Sequence, residues 1–322
     1  MESFDVIALG ELLIDFTDGG LSAQGNPMFE ANPGGAPCNV LAMLKKLGKS
    51  CAFIGKVGED IFGRQLLETV RGSGIDTESL IVAPEVRTTL AIVKNQPNGD
   101  RDFSFYRHPG ADMMLRTEEL PVERLRRARI FHFGTLSMTH PGVREATRQA
   151  VSIAASGHAL ISFDPNLRPP LWDSLEEARR QMEWGLAASD IVKISDNEVE
   201  FLTGETDYDR GAALLLARYP NLRLLTVTAG ANGSYAYAGG VRAFVPSFLL
   251  GGTIETTGAG DTFCACVLGY LLEHGLAGLD QAMLTEMLRF ANAAAYLVTT
   301  KKGAIRSMPE RAQVEGLLTQ TE

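Results

Sequence analysis

Residues 251–263 of the chain are Gly251-Gly252-Thr253-Ile254-Glu255-Thr256-Thr257-Gly258-Ala259-Gly260-Asp261-Thr262-Phe263, and a helix-compatible run follows to Glu273. Small residues let a backbone approach a ligand closely, and the start of a helix leaves several N–H groups without intrahelical partners. Those amides attract anions, because the helix dipole places partial positive charge behind them. The stretch therefore predicts an anion-binding site built from Gly258, Ala259 and Gly260.

Asp261 follows these glycines directly. A site that only binds phosphate gains nothing from a carboxylate, because like charges repel. The carboxylate does fit as a general base that deprotonates a hydroxyl while the amides stabilise a transferring phosphoryl group. In the alternative interpretation Asp261 caps the helix and the glycines form a tight turn.

The composition is that of a globular protein. The chain has 322 residues, of which 45% are hydrophobic and 21% charged, so it can bury a full core. Its net charge is -9, and its basic residues form no block beyond the short cluster in residues 124–129. We therefore expect neither a nucleic acid nor a membrane surface as a partner.

We expect no signal peptide at the N-terminus and no membrane span. Residues 1–5 are acidic and lead straight into a predicted strand, and no apolar run reaches the length of a membrane span. No two of the four cysteines form a Cys-x-x-Cys pair, so buried thiols are predicted for Cys38, Cys51, Cys264 and Cys266. The expected compartment is the cytoplasm.

Predicted strands and helices alternate along the chain. The strands are Asp5–Leu9, Cys51–Ile54, Ile130–Phe133, Ala159–Asp164, Asp190–Ile194 and Arg223–Thr228. Helices are predicted for residues 141–156, 175–188, 207–218, 262–274 and 279–299. This alternation predicts a doubly wound, mostly parallel α/β sheet with helices on both faces.

Polar clusters follow several of these strands. Asp15 comes after the first strand, and the others are residues 164–168, 195–200 and 229–233. Open α/β sheets bind their ligands at this edge. Gly34 and Gly35 precede another helix and predict a close approach of the backbone, and Asn39 carries the donors and acceptors that suit a sugar hydroxyl.

A hairpin interrupts the alternation. Residues 88–94 and 102–106 resemble strands, and Asn98-Gly99 between them is a strong hairpin signal. We expect a small separate sheet that acts as a lid, with further strands from residues 12–34. The predicted organisation is one domain over residues 1–322, with the lid inserted from roughly 12–34 and 87–110.

Two common phosphate-binding motifs are missing. The chain has no Gly-x-Gly-x-x-Gly after its first strand and no Gly-x-x-x-x-Gly-Lys-Ser/Thr. A nicotinamide-dependent oxidoreductase on a similar sheet would need the first of these. Any phosphate binding must therefore come from residues 258–261.

Two motifs in the chain resemble signatures of one family. Residues 34–39 resemble the N-terminal sugar-binding signature of the ribokinase-like (PfkB) carbohydrate kinases, and residues 255–261 resemble their C-terminal signature. The resemblance covers essentially the whole chain and is strongest to fructokinases. It implies a ribokinase-like fold that transfers a phosphoryl group from ATP to a sugar, with Mg²⁺ as cofactor.

The resemblance also implies roles for matching residues. Asp261 would take the proton from the primary hydroxyl, with Gly258, Ala259 and Gly260 as the anion hole. The sugar would be bound by Asp15, Gly34, Gly35, Asn39, Arg107 and Asp164. Arg168 would neutralise phosphate charge, or else form a salt bridge with Asp164. The nucleotide would be bound by Asn197, Thr228, Gly230, Gly233, Gly258, Gly260 and Asn292; Ala229 stands where leucine is commoner in the family.

Two metal sites are implied as well. Asn197 and Glu200 match the family's Asn-x-x-Glu motif, which organises Mg²⁺ through water, although they also fit a simple helix cap pair. A monovalent-cation site for K⁺ is framed in relatives by positions that correspond to Glu255, Thr257, Val298, Lys301, Gly303 and Ser307. The family usually has aspartate in place of Glu255, so this longer carboxylate either still ligates K⁺ or shifts the loop and weakens the site.

Fructose is the predicted substrate. Residues 10–16 and 105–112 resemble fructokinase elements, and the second places Arg107 where it would reach the sugar from the lid. Residues 164–172 are shared with fructokinases and with 2-keto-3-deoxygluconate kinases, and the latter stay an alternative. An arginine-bearing lid fits nucleoside kinases less well. A catalytically inactive sugar sensor is a further alternative, although the intact residues 258–261 argue against it. Exposed edge strands of the lid predict a homodimer formed through the lid.

Overall fold

A computed structural model describes residues 3–95 and 101–321 of the chain. Its strands are β1 (Val6–Leu9), β2 (Leu13–Leu21), β3 (Pro27–Gly34), β4 (Cys51–Gly58), β5 (Leu80–Ala83), β6 (Leu90–Asn95), β7 (Arg101–Tyr106), β8 (Ile130–Gly134), β9 (Leu160–Asp164), β10 (Ile191–Ser195), β11 (Leu224–Thr228), β12 (Ser234–Ala238) and β13 (Val241–Val245). Its helices are α1 (Ala36–Lys46), α2 (Ile61–Gly72), α3 (Val122–Leu125), α4 (Pro141–Ser156), α5 (Leu175–Ala187), α6 (Asp196–Thr203), α7 (Tyr208–Arg218), α8 (Ala259–His274), α9 (Gln281–Thr299) and α10 (Arg311–Gln320).

The main sheet has nine strands in the order β13-β12-β11-β10-β9-β8-β1-β4-β5. The strands from β5 to β11 are parallel, and β1 lies between β4 and β8, with Val6 opposite both Cys51 and Ile130. Only β12 and β13 run antiparallel, at one edge. The predicted mostly parallel α/β sheet is therefore confirmed.

Both faces of this sheet are covered by helices. Val6 and Ala8 of β1 belong to an apolar cluster with residues of α1, α8 and α9, whereas Ile7 and Leu9 belong to a second cluster with residues of α4 and α5. Side chains alternate between the two faces of a strand, so a strand buried on both sides needs an unbroken apolar run. This explains the continuous apolar sequence of β1.

A separate four-stranded sheet has the order β3-β2-β6-β7. Strands β2 and β3 are antiparallel, β6 pairs parallel to β2, and β7 returns antiparallel to β6. This is the predicted lid, and the predicted hairpin partners do pair, although residues 96–100 of its turn lie outside the described residues. Asp15 lies in β2 of the lid sheet, opposite Asn32, rather than in a loop after β1.

Several elements differ from the predicted ones. The strand predicted to end at Ile54 continues to Gly58, and the sequence analysis did not predict β5, α6, β12, β13 or α10. The four cysteines are free and buried, as predicted. Within residues 3–95 and 101–321, none of the helices has the length and apolar character that crossing a bilayer requires.

Candidate active site

The first turn of α8 forms the centre of the candidate site. The helix begins at Ala259, and its N-cap residue Gly258 adopts a φ of 77°, in the left-handed region that favours glycine. No side chain caps this end of the helix, so the alternative in which Asp261 serves as the cap does not hold. The amide dipoles and the carboxylate of Asp261 in the first turn therefore lie together at the end of one helix.

Asp261 is held from the opposite side by α1. Its Oδ2 accepts a hydrogen bond of 2.7 Å from Nδ2 of Asn39. Burial raises the pKa of Asp261 to about 6, and the negative charge of Asp164 adds to this rise. The hydrogen bond from Asn39 and the positive charges of Lys193 and Arg168 lower the pKa and so oppose the rise. The carboxylate is therefore ionised at neutral pH, yet basic enough to accept a proton.

Asp261 lies in the wall of a cavity of about 360 Å³ between the lid and the main sheet. The cavity is lined by predicted sugar residues and by others from both sheets, namely Glu11, Leu13, Asp15, Thr17, Asn32, Pro33, Gly35, Ala36, Asn39, Val93, Phe105, Leu136, Asn166, Arg168, Glu255, Thr257, Gly258, Gly303 and Ala304. Its volume and its polar lining suit a small hydrophilic ligand. The structure thus brings together Asp15, Gly35, Asn39, Arg168 and Asp261 as predicted.

The paired glycines before α1 make the close packing at this cavity possible. A Cβ on Gly34 would lie 2.5 Å from Oδ2 of Asp15, and a Cβ on Gly35 would lie 2.3 Å from the carbonyl oxygen of Glu11. Gly35 also has a φ of 134°, which side chains rarely permit. The side chain of Glu11 fixes the same turn, because its Oε1 accepts the N–H of Ala36 at 2.8 Å. Burial raises the pKa of Glu11 to about 7.

A second cavity of about 360 Å³ lies on the other side of the α8 N-terminus. It is lined by Thr228, Gly230, Ala231, Gly233, Ser247, Phe248, Leu249, Thr253, Thr256, Ala259, Gly260, Phe263, Asn292, Ala295, Tyr296 and Thr299. These include five of the residues predicted to bind the nucleotide. Asn292 connects the elements that form the wall of this cavity. Its Oδ1 accepts a hydrogen bond of 2.9 Å from the hydroxyl of Ser234, and its Nδ2 donates to the carbonyl oxygens of Val245 and Pro246.

Asn197 and Glu200 lie exposed in the first two turns of α6. The capping box of this helix is made by Ser195 and Glu198 instead, so Asn197 and Glu200 are not the cap pair. Residues 3–95 and 101–321 contain no cluster of three or more His, Cys, Asp or Glu side chains that would hold a metal alone. Mg²⁺ is usually held by one or two carboxylates together with phosphate and water, and the exposed Glu200 fits that mode.

The predicted K⁺ residues come together near the sugar cavity. Oε1 of Glu255 accepts the N–H of Gly303 at 2.6 Å, and the hydroxyl of Ser307 donates to the carbonyl oxygen of Lys302. The carbonyl of Val298 accepts the N–H of Lys301 at the end of α9. This set offers only oxygen ligands, which fits a hard cation. A cation would be ligated by the carboxylate of Glu255, since each of its oxygens has two lone pairs and Gly303 uses only one of them.

Three predicted sugar residues, Gly34, Arg107 and Asp164, do not line the sugar cavity. Arg107 is only 5% exposed, and its guanidinium group lies 2.6 Å from Asp112 and also donates to Thr139 and to the carbonyl of Leu136. Asp164 forms a buried ion pair with Lys193 at 3.0 Å. The alternative salt bridge between Asp164 and Arg168 therefore does not form, and Arg168 instead faces the cavity.

Lys193 is the residue near this site that sequence reasoning missed. It lies in β10, is 7% exposed, and approaches the backbone of Gly260 so closely that a Cβ there would be 3.1 Å from its Nζ. The sequence contains a feature that could have identified it, because Lys193 is the single charged residue inside the apolar run Ile191–Ile194. A lysine in a buried strand needs a charged partner, and such partners often mark functional sites.

The two cavities on either side of the α8 N-terminus, with the buried Asp261 between them, suit an enzyme that transfers an anionic group between two small molecules. The chain belongs to the pfkB family of carbohydrate kinases, whose family model matches residues 3–311. Fructokinase-1 of Zea mays is 42% identical over 315 residues, which cover 97% of either chain.

Solved structures show the same similarity. A fructokinase from Xylella fastidiosa with bound ATP superposes with a TM-score of 0.89, at 31% identity and with 99% of both chains covered. A double variant of the fructokinase from Vibrio cholerae O395, bound to fructose, ADP and potassium ion, has a TM-score of 0.86 at 28% identity, again with 99% of both chains covered.

Proposed function

We propose that this protein is an ATP-dependent fructokinase, which converts D-fructose and ATP to D-fructose 6-phosphate and ADP. The observation that carries this proposal is the position of Asp261, at a helix N-terminus that separates two cavities. The cavity beneath the lid would take the sugar, and the cavity beside β11 and α9 would take the nucleotide. The fructokinases among the similar proteins support fructose as the sugar.

In the proposed reaction Asp261 accepts the proton of the C6 hydroxyl as that oxygen attacks the γ-phosphorus. A new P–O bond forms to the sugar, and the bond between the γ-phosphorus and the β–γ bridging oxygen breaks, so ADP leaves with the bonding electron pair. Amides of the α8 N-terminus and the guanidinium group of Arg168 would stabilise the charge on the transferring group. Such a transfer needs positioning and charge stabilisation more than covalent chemistry.

Asn39 and Asp15 would orient the sugar. Oδ1 of Asn39 is buried without a hydrogen-bond partner among the described residues, and a sugar hydroxyl would satisfy it. Bound Mg²⁺, near Asn197 and Glu200, would neutralise charge on the ATP phosphates. A K⁺ ion at Glu255 would stabilise the loop that leads into α8. The lid would exclude water, which otherwise competes with the sugar for the phosphoryl group.

The test of this function is an ADP-release assay with MgATP and a panel of fructose, 2-keto-3-deoxygluconate, ribose, glucose, mannose and adenosine, run for the wild type and for Asp261→Ala. We expect fructose to give the highest kcat/KM by at least about tenfold and the variant to lose at least about a hundredfold in kcat. A preference for 2-keto-3-deoxygluconate would overturn fructose but leave the kinase. Absence of ADP release with every sugar would overturn the kinase and favour a sugar sensor.

We also propose a homodimer formed through the lid, in the cytoplasm, with the two sheets acting as one kinase unit. Edge strand β3 supports the dimer, because it exposes Met28 and Phe29 to solvent, and Leu21 at the end of β2 is exposed beside them. An open edge with exposed apolar side chains favours pairing with a second strand. The free buried cysteines are typical of a reducing compartment.

A further inference from the structure

A buried cation lies beneath the anion-binding end of α8. Nζ of Lys193 is 3.0 Å and 3.3 Å from the two carboxylate oxygens of Asp164. The same Nζ lies directly beside the first turn of α8, as the 3.1 Å approach to a Cβ on Gly260 shows. Lys193 also lines a third cavity, of about 320 Å³, together with Asn166, Arg168, Ser195, Asn197 and Glu198.

This third cavity connects the parts of the site. It shares Asn166 and Arg168 with the sugar cavity, and it includes Asn197 of the predicted magnesium motif. Lys193 therefore lies where the sugar cavity, the first turn of α8 and the predicted magnesium motif adjoin. Its side chain comes from β10 in the middle of the main sheet, and Asp164 at the end of β9 holds it in place.

The charges around Lys193 are mostly negative. Burial lowers the pKa of Lys193, but the carboxylates of Asp164, Glu198 and Asp261 outweigh this effect and hold the pKa above its ordinary value. On the other side His132 of β8 stays neutral, because burial and the charge of Lys193 lower its pKa to about 3. Lys193 is thus a permanently charged ammonium group among three carboxylates.

The carboxylates around this site would repel a phosphoryl group, and we infer that the α8 amides alone do not offset this repulsion. A phosphoryl group that enters next to Asp261 meets a carboxylate base, with Asp164 and Glu198 behind it. Preorganised positive charge in a buried site is worth far more than in water, because the dielectric constant is low. Lys193 and Arg168 are the two cations whose charges lower the pKa of Asp261.

We propose that Lys193 contributes its positive charge to the anion hole of α8 during phosphoryl transfer, and that Asp164 positions this ammonium group rather than binding the sugar. The inference rests on the proposed kinase function. It assigns to the Asp164–Lys193 pair a role in the reaction rate, beyond its contribution to the fold.

The test compares Lys193→Met, Lys193→Arg and the double variant Lys193→Met/Asp164→Asn, each assayed with the sugar that the wild type phosphorylates fastest. We expect Lys193→Met to lower kcat about a hundredfold with little change in the KM for the sugar, as loss of one anion-hole donor does. The acidic limb of its kcat/KM profile should move to higher pH, because the charge of Lys193 lowers the pKa of Asp261. Lys193→Arg should recover part of kcat, since it keeps the charge.

The double variant distinguishes an effect of the Lys193 charge on kcat from an effect of the ion pair on stability. Lys193→Met alone leaves Asp164 as an uncompensated buried charge and should lower the Tm, whereas removal of both charges should restore the Tm. We expect kcat of the double variant to stay at least about thirtyfold below wild type, an effect within the range for one missing donor. Recovery of kcat together with the Tm would overturn the proposal, because the pair would then be structural only.

Lys56→Met is the matched control. Lys56 is likewise a buried lysine, 1% exposed and 2.7 Å from Glu119, but it lines none of the three cavities. This variant should lose thermal stability and keep kcat within about twofold of the wild type, because it breaks a buried ion pair away from the reacting groups. A wild type inactive with every sugar would refute the kinase function itself, an outcome distinct from any difference among the variants.

Discussion

At the scale of single residues, Asp261 shows how the surroundings of one carboxyl group set its pKa. Burial raises its pKa and the hydrogen bond from Asn39 opposes that rise, so the result lies near 6. A base with this pKa is ionised at neutral pH and still has useful proton affinity. The same burial makes the charged form unfavourable for folding, so activity and stability oppose each other at this position.

The first prediction concerns pH and Asp261. The ionised form is the base, so kcat/KM of the wild type should rise with pH through about 6 and then level off. Asp261→Asn should lose about 10²- to 10⁴-fold in kcat at pH 7.5. Because the variant removes a buried charge, its Tm at pH 7.5 should equal or exceed that of the wild type. A lower Tm with a partial loss of rate would indicate a folding role instead.

The second prediction concerns Arg107, which the sequence placed at the sugar. Arg107→Ala should lower stability by about 3–5 kcal/mol, because it leaves Asp112 buried without its partner. The folded fraction should keep its KM for fructose. These values come from denaturant unfolding and steady-state kinetics.

Arg242→Ala serves as the control for Arg107. Arg242 also pairs with an aspartate, Asp209, but both side chains are about half exposed, so the loss should stay within about 1 kcal/mol. If Arg107→Ala left the stability unchanged and raised the KM for fructose about tenfold or more, the prediction would be wrong and Arg107 would be a sugar-binding residue.

At the scale of elements, the loop before α8 is hydrogen-bonded to the end of α9 and to the turn that follows it. Ile254 and Glu255 donate their N–H groups to the carbonyl oxygen of Thr299, and Glu255 accepts the N–H of Gly303. The glycine-rich turn before α8 is therefore anchored to the end of α9, the helix that also carries Asn292. A change in this anchor would be transmitted to Gly258 and Asp261.

The third prediction tests the cation at this anchor. Replacing KCl by tetramethylammonium chloride at constant ionic strength should lower the wild-type kcat, because the oxygen ligands near Glu255 would lose their cation. Glu255→Gln can keep the hydrogen bond from Gly303 but has no charge, so it should lose most of the K⁺ response. Glu255→Asp keeps the carboxylate, so it should keep the response. A Glu255→Gln enzyme that responds to K⁺ as the wild type does would argue against this site.

At the scale of the whole molecule, the lid determines both the sugar cavity and the proposed dimer. Strand β2 supplies Asp15 to the cavity through one face, and its neighbour β3 forms the free edge of the same sheet. Pairing across that edge would hold two lids in register and so fix both sugar cavities. Substrate closure and subunit association would then be coupled.

The fourth prediction is the effect of Phe29→Glu on the oligomeric state. Phe29 is 48% exposed on β3, so a charge there should disrupt an apolar interface and halve the mass measured by light scattering coupled to size exclusion. Leu214→Glu is the control, because Leu214 is equally exposed, at 49%, on α7 outside the lid. A wild type that elutes as a monomer would contradict the dimer.

Sequence patterns were most informative where local physics decides the structure. The apolar runs of the central parallel strands and the helix starts were predicted to within a few residues, because burial on both faces and capping are local constraints. Strands β12 and β13 were missed although a signal was present. Tyr235 and Tyr237 alternate with alanines, and Gly239-Gly240 follows as a hairpin turn.

The sequence by itself determined the α/β class, the separate lid sheet and the glycine-rich start of α8 with Asp261 in its first turn, because each depends on residues that are neighbours in the chain. Only the tertiary structure decided the partners of the charged side chains. Asp164 pairs with Lys193 rather than Arg168, and Arg107 pairs with Asp112 rather than facing the sugar. The physical reason is that a buried charge takes the nearest opposite charge in space, and the packing of sheet and helices sets that distance.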